Sequence, residues 1–328
     1  MSKVFNFFSG TENKKGKGVD KKELEEAKKM GWGYFFKLLG RSMRKLTSLN
    51  LTFLLCNIVV LFVLYGLSGR MDDYVSAPTN PLYGQLYGIM LNDRSPTVMA
   101  LNGILGVSTS IRVVSTASKV FIYLSALLVF TLGLSAIGMT YVIRGIVRRE
   151  YVSTWSDFFG AIKKNFRQGI FISVLDALFL FILGYDLVQY RANAGTFIYG
   201  TFYIAIIIFL LTYLVMRYYI YTILITFDLP IRKIFKNAFL LTVLGLKRNI
   251  VLLLGSAFVV FASIYVFLLF PNVGLILPGI FTISLLWFIG IYCTYPVIDK
   301  YMIEPYYEEH PEERPKEPDE EPIFRDRG

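Results

Sequence analysis

Histidine, cysteine and intramembrane acid are scarce in this sequence, and each scarcity closes a class of chemistry. The one histidine, His310, lies in an acidic stretch near the end of the chain, where solvation is its expected state. No HExxH, glycine-rich phosphate loop or GxSxG pattern occurs. Zinc hydrolysis, P-loop phosphate chemistry and a nucleophile elbow therefore have no residues to run on. Cys56 and Cys293 both sit in apolar stretches without CxxC spacing or a histidine partner, so no metal site, redox centre or cofactor is expected. Charge is thin as well: 18% of residues are charged, against about 25% in a globular domain. With no catalytic constellation visible, the chain is expected not to be an enzyme.

What fills the sequence instead is apolar residue, 55% of the total. A helix needs about 20 apolar residues to cross the hydrocarbon, and six blocks approach or exceed that: Leu49 to Leu67, Val120 to Val142, Ile170 to Tyr185, Phe197 to Met216, Val251 to Phe270 and Leu275 to Ile298. None contains Lys or Arg, and the only acid inside them is Asp176. This is the pattern expected where a charge at the bilayer centre costs about 3 kcal/mol on insertion scales. The third block is the shortest and is expected to borrow a turn from the amphipathic segment before it.

Orientation follows from the basic residues. Of the 34, all but five fall in the N-terminal tail, the second and fourth loops and the C-terminal tail, so both termini are expected in the cytoplasm. The early chain, Met-Ser-Lys followed by charged residues, does not resemble a signal peptide. The expected divisions are a basic tail at 1–30, a six-helix membrane domain at 31–301 and an acidic, proline-rich tail at 302–328. A long outer loop, 68–119, is inserted in the membrane domain. Its apolar pieces from Pro81 and Thr97 are expected to form short helices that cap the bundle or bind a partner. Nucleic acid is not an expected partner despite the net charge of +10, because the cations sit at membrane margins and not along one groove with stacking aromatics.

The cytoplasmic segments share a grammar. Trp32, Phe35, Phe36, Leu39, Met43 and Leu46 recur at helical spacing with Lys37, Arg41, Arg44 and Lys45 off the stripe. Ser153 to Asp157 supplies helix-start residues before Phe158, Phe159, Ile162 and Phe166, with Lys163, Lys164 and Arg167 on the other side. After Phe227-Asp-Leu-Pro230, residues Ile231, Ile234, Phe235, Ala238 and Leu241 run on beside Arg232, Lys233 and Lys236. Each reads as an interfacial elbow helix with an aromatic face in the headgroup zone. Each leads through a basic junction, with Asn50, Asn165 or Asn249 nearby, into a span. The whole is an all-α polytopic fold, six transmembrane helices arranged as three copies of one unit.

Gly133-Leu-Ser-Ala-Ile-Gly-Met-Thr-Tyr-Val-Ile-Arg144, the pair Arg148-Arg149, Asp157-Phe-Phe159 and Lys163-Lys-Asn-Phe166 resemble the YesL family of bacterial membrane proteins. The likeness extends from about Trp32 to Tyr301, leaving out the 68–119 loop and both tails. The family has no agreed biochemical activity. The resemblance implies a Gram-positive plasma membrane and an association with carbohydrate-uptake transporter genes.

Two sets of residues are candidates for function. Arg144, Arg148, Arg149, Asp157, Phe158, Phe159, Lys163, Lys164, Asn165, Arg167, Lys247 and Arg248 could bind membrane lipid or a membrane partner such as a carbohydrate ABC transporter; alternatively they only enforce topology. Asp176, Asn57 and Arg217 are the intramembrane polar set. Asp176 either pairs with Arg144 or Arg217, or stays neutral, or serves proton-coupled or solute transport. The first expectation is therefore an accessory or scaffold protein. A small transporter using Asp176 is the alternative, and an intramembrane lipid-modifying enzyme a weaker one.

Overall fold

In the computed structural model, residues 30–78, 82–93, 95–106 and 108–313 are described. The expected basic tail up to Lys29 and the acidic tail from Arg314 lie outside them. The chain divides into two compact units, one built from the chain up to Asn57 and from Val129 onward, the other from Ile58 to Leu128.

Among its described residues, the regular structure of the larger unit is all helical. It contains α1 (Trp32–Cys56), most of a helix α6 (Leu128–Val147), α7 (Thr154–Lys164), α8 (Phe166–Ala192), α9 (Phe197–Thr226), α10 (Ile231–Leu244) and α11 (Leu246–Leu269). After a reversal at Phe270, α12 (Pro271–Leu277), a π-helical turn (Pro278–Thr282) and α13 (Ile283–Ile298) follow, with a second π turn leading into α14 (Glu304–Glu309). The smaller unit holds α2 (Val60–Leu67), β1 (Asp73–Pro78), α3 (Tyr83–Asn92), α4 (Pro96–Leu105), β2 (Ser108–Val113) and α5 (Thr116–Ser125).

Five helical segments are long and apolar enough to cross a membrane, and α1 with α2, taken as one broken span, makes a sixth. What marks them as membrane helices is the apolar surface they leave bare. On α11, Phe258, Phe261 and Leu268 are 74%, 70% and 71% exposed, a lateral display of large apolar side chains that water would penalise and hydrocarbon accepts. The chain is a multi-pass membrane protein. The helix α9 overruns its expected block, continuing ten residues past Met216 with Arg217 inside it, while α8 begins at Phe166, about a turn before its block, as expected of the shortest one.

The block expected as one span from Leu49 to Leu67 is interrupted. The helix α1 runs without a break from Trp32 through the expected elbow and stops at Cys56. Asn57 ends it: its amide Nδ2 donates to its own helix at the Phe53 carbonyl (2.8 Å) and to Ser135 Oγ on α6 (2.8 Å), so the side chain competes with the backbone ladder. Asn50, fully buried in the same helix, does the opposite service for the last span. Pro278 lacks an N–H and loosens its helix into the π turn. Asn50 Nδ2 donates to the carbonyls of Pro278 (2.9 Å) and Gly279, and its Oδ1 accepts from Ser284 N–H (2.9 Å). Asn50 thus pairs backbone groups in and just after the π turn at apolar depth.

In the smaller unit, β1 and β2 form an antiparallel ladder from Asp73 opposite Val113 to Pro78 opposite Ser108. This ladder was not expected. The two short helices expected in the outer loop are present as α3 and α4, but they sit between its strands. Asp72 pins the base of the ladder: Arg112 and Ser118 donate to its carboxylate, as does the Ser115 N–H at 3.3 Å. The hydrogen bond from Ser118 first, then that from Arg112, hold the Asp72 carboxyl below its ordinary pKa.

Candidate functional site

The stretch from Arg144 to Asp228 places most of the candidate residues, and its order begins at the end of α6. There the chain leaves the helix through Arg149 at φ 61°. The Glu150 N–H reaches back to the Gly145 carbonyl (2.9 Å) and the Arg149 N–H to that of Ile146 (3.1 Å). That pairing is a Schellman ending. An arginine in the left-handed region is held there from outside, since its Nε donates to Tyr34 Oη at 2.6 Å and its guanidinium lies 4.8 Å over the Tyr34 ring. Arg148 is exposed and pairs with Glu150 at 3.1 Å.

The helix α7 then docks back on α6. Phe158 is fully buried and fits only because residue 138 is glycine, where an added Cβ would come within 2.6 Å of the ring. Burying that ring stabilises the joint by about 2–3 kcal/mol. Phe158 was expected at the lipid interface; it is a core residue instead, while Phe159 and Trp155 keep the outward face. Asp157 is likewise spent inside the protein, its carboxylate accepting from the Ser153 N–H at 2.7 Å and so satisfying the start of α7.

Asn165 makes the bend between α7 and α8. Its Nδ2 donates to the Ala161 carbonyl (3.0 Å), while its own carbonyl accepts the Gly169 N–H, starting α8. Around this bend opens a groove of about 740 Å³, walled on one side by 163–168 and on the other by 224–228, the end of α9 and the residues after it. Lys163, Lys164 and Arg167 line it and are exposed. None of the three has a hydrogen bond or ion pair among the described residues, and the one acid in the walls is Asp228. Arg144 lies behind the groove and is buried. Its Nη1 donates to Thr226 Oγ1 (2.8 Å) and the Ile225 carbonyl (3.3 Å), two residues of the groove wall.

Further along α8, Asp176 is closed off. Tyr213, Arg217 and Tyr221 lie four residues apart on one face of α9. Tyr213 Oη donates to Asp176 Oδ1 (2.9 Å), Tyr221 Oη to Oδ2 (2.8 Å), and the Arg217 guanidinium grips the same carboxylate with Nε 2.8 Å from Oδ1 and Nη2 2.9 Å from Oδ2. Of the two arginines considered as its partner, Arg217 is the one that pairs; Arg144 does not. Neither the groove nor the apolar pocket beside Arg248 is lined by Asp176 or Asn57.

The second bend, between α10 and α11, is built differently. It turns at Gly245, where a Cβ would come within 2.5 Å of Tyr219 Oη and 2.9 Å of the Leu241 carbonyl. Asn249 is buried four residues beyond; it accepts from Tyr219 Oη (2.9 Å) and donates to the Thr242 carbonyl (2.7 Å). Lys247 is exposed, and Arg248 is the one charged residue lining an apolar pocket of about 440 Å³ between the start of α1, α11 and α13.

Residues 98–187 match the model of a family described as protein of unknown function, DUF624. That family is the YesL family. The matched stretch runs from within α4 to within α8 and so takes in the first bend with its basic side of the groove. It is narrower than the expected 32–301, and it starts inside the loop that the resemblance left out. No curated protein and no solved structure matches the chain. Outside the YesL-family stretch lie the residues that sequence reading missed: Thr226 and its neighbours in the far wall, and Tyr213 and Tyr221 around Asp176. The spacing of Tyr213, Arg217 and Tyr221 was a usable signal for the second group. The first had none, because groove walls from distant segments leave no local pattern.

Proposed function

We propose that the protein is a non-enzymatic accessory or scaffold component of the bacterial plasma membrane, with both termini cytoplasmic. In this reading it binds anionic lipid and a membrane complex serving carbohydrate uptake. The observation that carries it is the state of Asp176. Its two oxygens are occupied by two tyrosines and a bidentate arginine, which is the pattern of a structural joint between α8 and α9, not of a group awaiting a proton or solute. Exposed cations without partners among the described residues lie instead at the bends, Lys163, Lys164 and Arg167 of the first among them, on the side that the positive-inside pattern makes cytoplasmic. The bends would then be elbow helices lying in the headgroup zone. The link to carbohydrate uptake rests on the YesL resemblance alone.

Affinity capture from mild detergent, with identification of co-purifying proteins, tests this reading. Recovery of the membrane subunits of a carbohydrate transporter is expected, and recovery of bulk lipid only would overturn the scaffold role. Reconstitution in liposomes tests the transporter alternative. Proton-coupled solute uptake that disappears in a folded Asp176→Asn variant would replace the accessory reading with transport.

A further inference from the structure

The geometry points to the groove at the α7–α8 bend as a binding site for a phosphate ester, with the headgroup of an anionic phospholipid as its source in the membrane and a soluble phosphate compound as the other source. This rests on the membrane-accessory reading for the side on which the groove opens, and it adds the ligand and the residues that hold it.

The groove is a concavity and not a charged helix face. Its volume of about 740 Å³ exceeds what a phosphate group needs and admits a glycerophosphate headgroup. Lys163, Lys164 and Arg167 come from both sides of the bend at Asn165, so the break in the helix is what turns three cations toward one space. All three are without partners among the described residues. Other exposed cations of the same region are engaged: Arg148 with Glu150, and Arg149 with Tyr34. With Asp228 the only acid in the walls, the groove carries an excess of positive charge that an anion would neutralise.

The backbone adds little net field. The start of α8 and the end of α7 meet at this bend, so the positive end of one helix dipole is offset by the negative end of the other. Selectivity for an anion therefore comes from the side chains. Arg144 gives the wall rigidity: with Nη1 anchored on Ile225 and Thr226, it ties the α9 side of the groove to α6. Phe166, half-exposed beside the cations, supplies an apolar edge where an acyl chain would leave the site.

The alternative is that the three cations only orient the chain and stabilise the end of α7. The molecule contains its own control for that, since Arg232, Lys233 and Lys236 on α10 are also three exposed cations on an amphipathic helix yet line neither cavity.

Native mass spectrometry of the purified full chain in detergent, titrated with phosphatidylglycerol or phosphatidylcholine, tests the site. Wild type is expected to retain phosphatidylglycerol in preference to phosphatidylcholine. The K163Q/K164Q/R167Q variant is expected to lose that retention by about tenfold or more, given the attraction each cation exerts near an anionic headgroup. The R232Q/K233Q/K236Q variant is expected to keep it. A parallel thermal-shift titration with pyrophosphate separates the sources. Stabilisation by pyrophosphate that depends on the same three residues, without phosphatidylglycerol selectivity, supports the site with a soluble ligand. Should the first variant fail to fold, K163R/K164R/R167K and the single K164Q decide: the former should bind and the latter bind more weakly. Equal losses in the two triple variants, or a wild type that neither prefers phosphatidylglycerol nor is stabilised by pyrophosphate through these three residues, overturn the proposal. Either result leaves the capture of a transporter partner untouched, so the two readings fail separately.

Discussion

The two bends leading into α8 and α11 carry the same short basic motif and have opposite structures. Each has a basic pair followed by asparagine: Lys163-Lys164-Asn165 and Lys247-Arg248-Asn249. In the first, the asparagine is the bend, and the basic pair stands over an open groove. In the second, the bend comes four residues earlier, at Gly245, so the asparagine is carried one helical turn inward and buried against Tyr219. One turn of register converts an open basic groove into a packed joint. The lesson is that a basic junction marks a membrane margin, and the position of the helix break relative to it decides whether the charge faces a cavity.

Each bend is also backed by a lock on α9, charged behind the first and neutral behind the second. Breaking the charged lock is expected to cost most. Arg217→Met leaves Asp176 buried with only tyrosine partners and should destabilise by about 3–5 kcal/mol, measured as detergent-resistant thermal unfolding of the purified protein. If it costs no more than the neutral lock, the contrast between the two is wrong. At the second bend, Gly245→Leu should destabilise by about 2–3 kcal/mol, because the new side chain must displace Tyr219 or the Leu241 carbonyl. Tyr219→Phe leaves the buried Asn249 oxygen without its donor and should cost about 1–2 kcal/mol. Asn165→Ala at the open bend removes a half-exposed bond to its own helix and should cost about 0.5–1 kcal/mol. A larger penalty there would mean that the groove is a packed joint after all.

Much of this fold was legible in the sequence. Runs of apolar residues free of Lys and Arg located the spans, because the cost of a charge in hydrocarbon writes itself directly into composition. The face of an amphipathic helix was less legible: Phe158 and Phe159 are adjacent aromatics in the same stripe, and only Gly138, twenty residues earlier, decides that the first is buried. The break at Asn57 was hidden for a related reason, since its partner Ser135 lies on another helix and the block around it is apolar on both sides. The basic half of the candidate site was visible as a charge cluster, whereas its wall at 224–228 and the role of Arg144 behind it depend on packing between segments about 60–80 residues apart.

The smaller unit provides a reference outside both bends. Asp72 has its folded-state pKa depressed by its bonds to Ser118 and Arg112. Its stabilising effect is therefore complete above the unfolded value and lost as pH falls through the lower folded one. Amide protection of the β1–β2 ladder should hold down to about pH 4 and decline below it, and Asp72→Asn should remove that acid-side decline. Hydrogen-exchange protection factors along β1 and β2 measure it. A ladder whose protection is indifferent to Asp72→Asn would show that the carboxylate is not what pins it.

The contrast between the bends is tested most directly by phosphatidylglycerol retention in native mass spectrometry, with the K163Q/K164Q/R167Q and R232Q/K233Q/K236Q variants measured side by side. Loss in the first and wild-type retention in the second is the predicted result. Equal retention in both would contradict it.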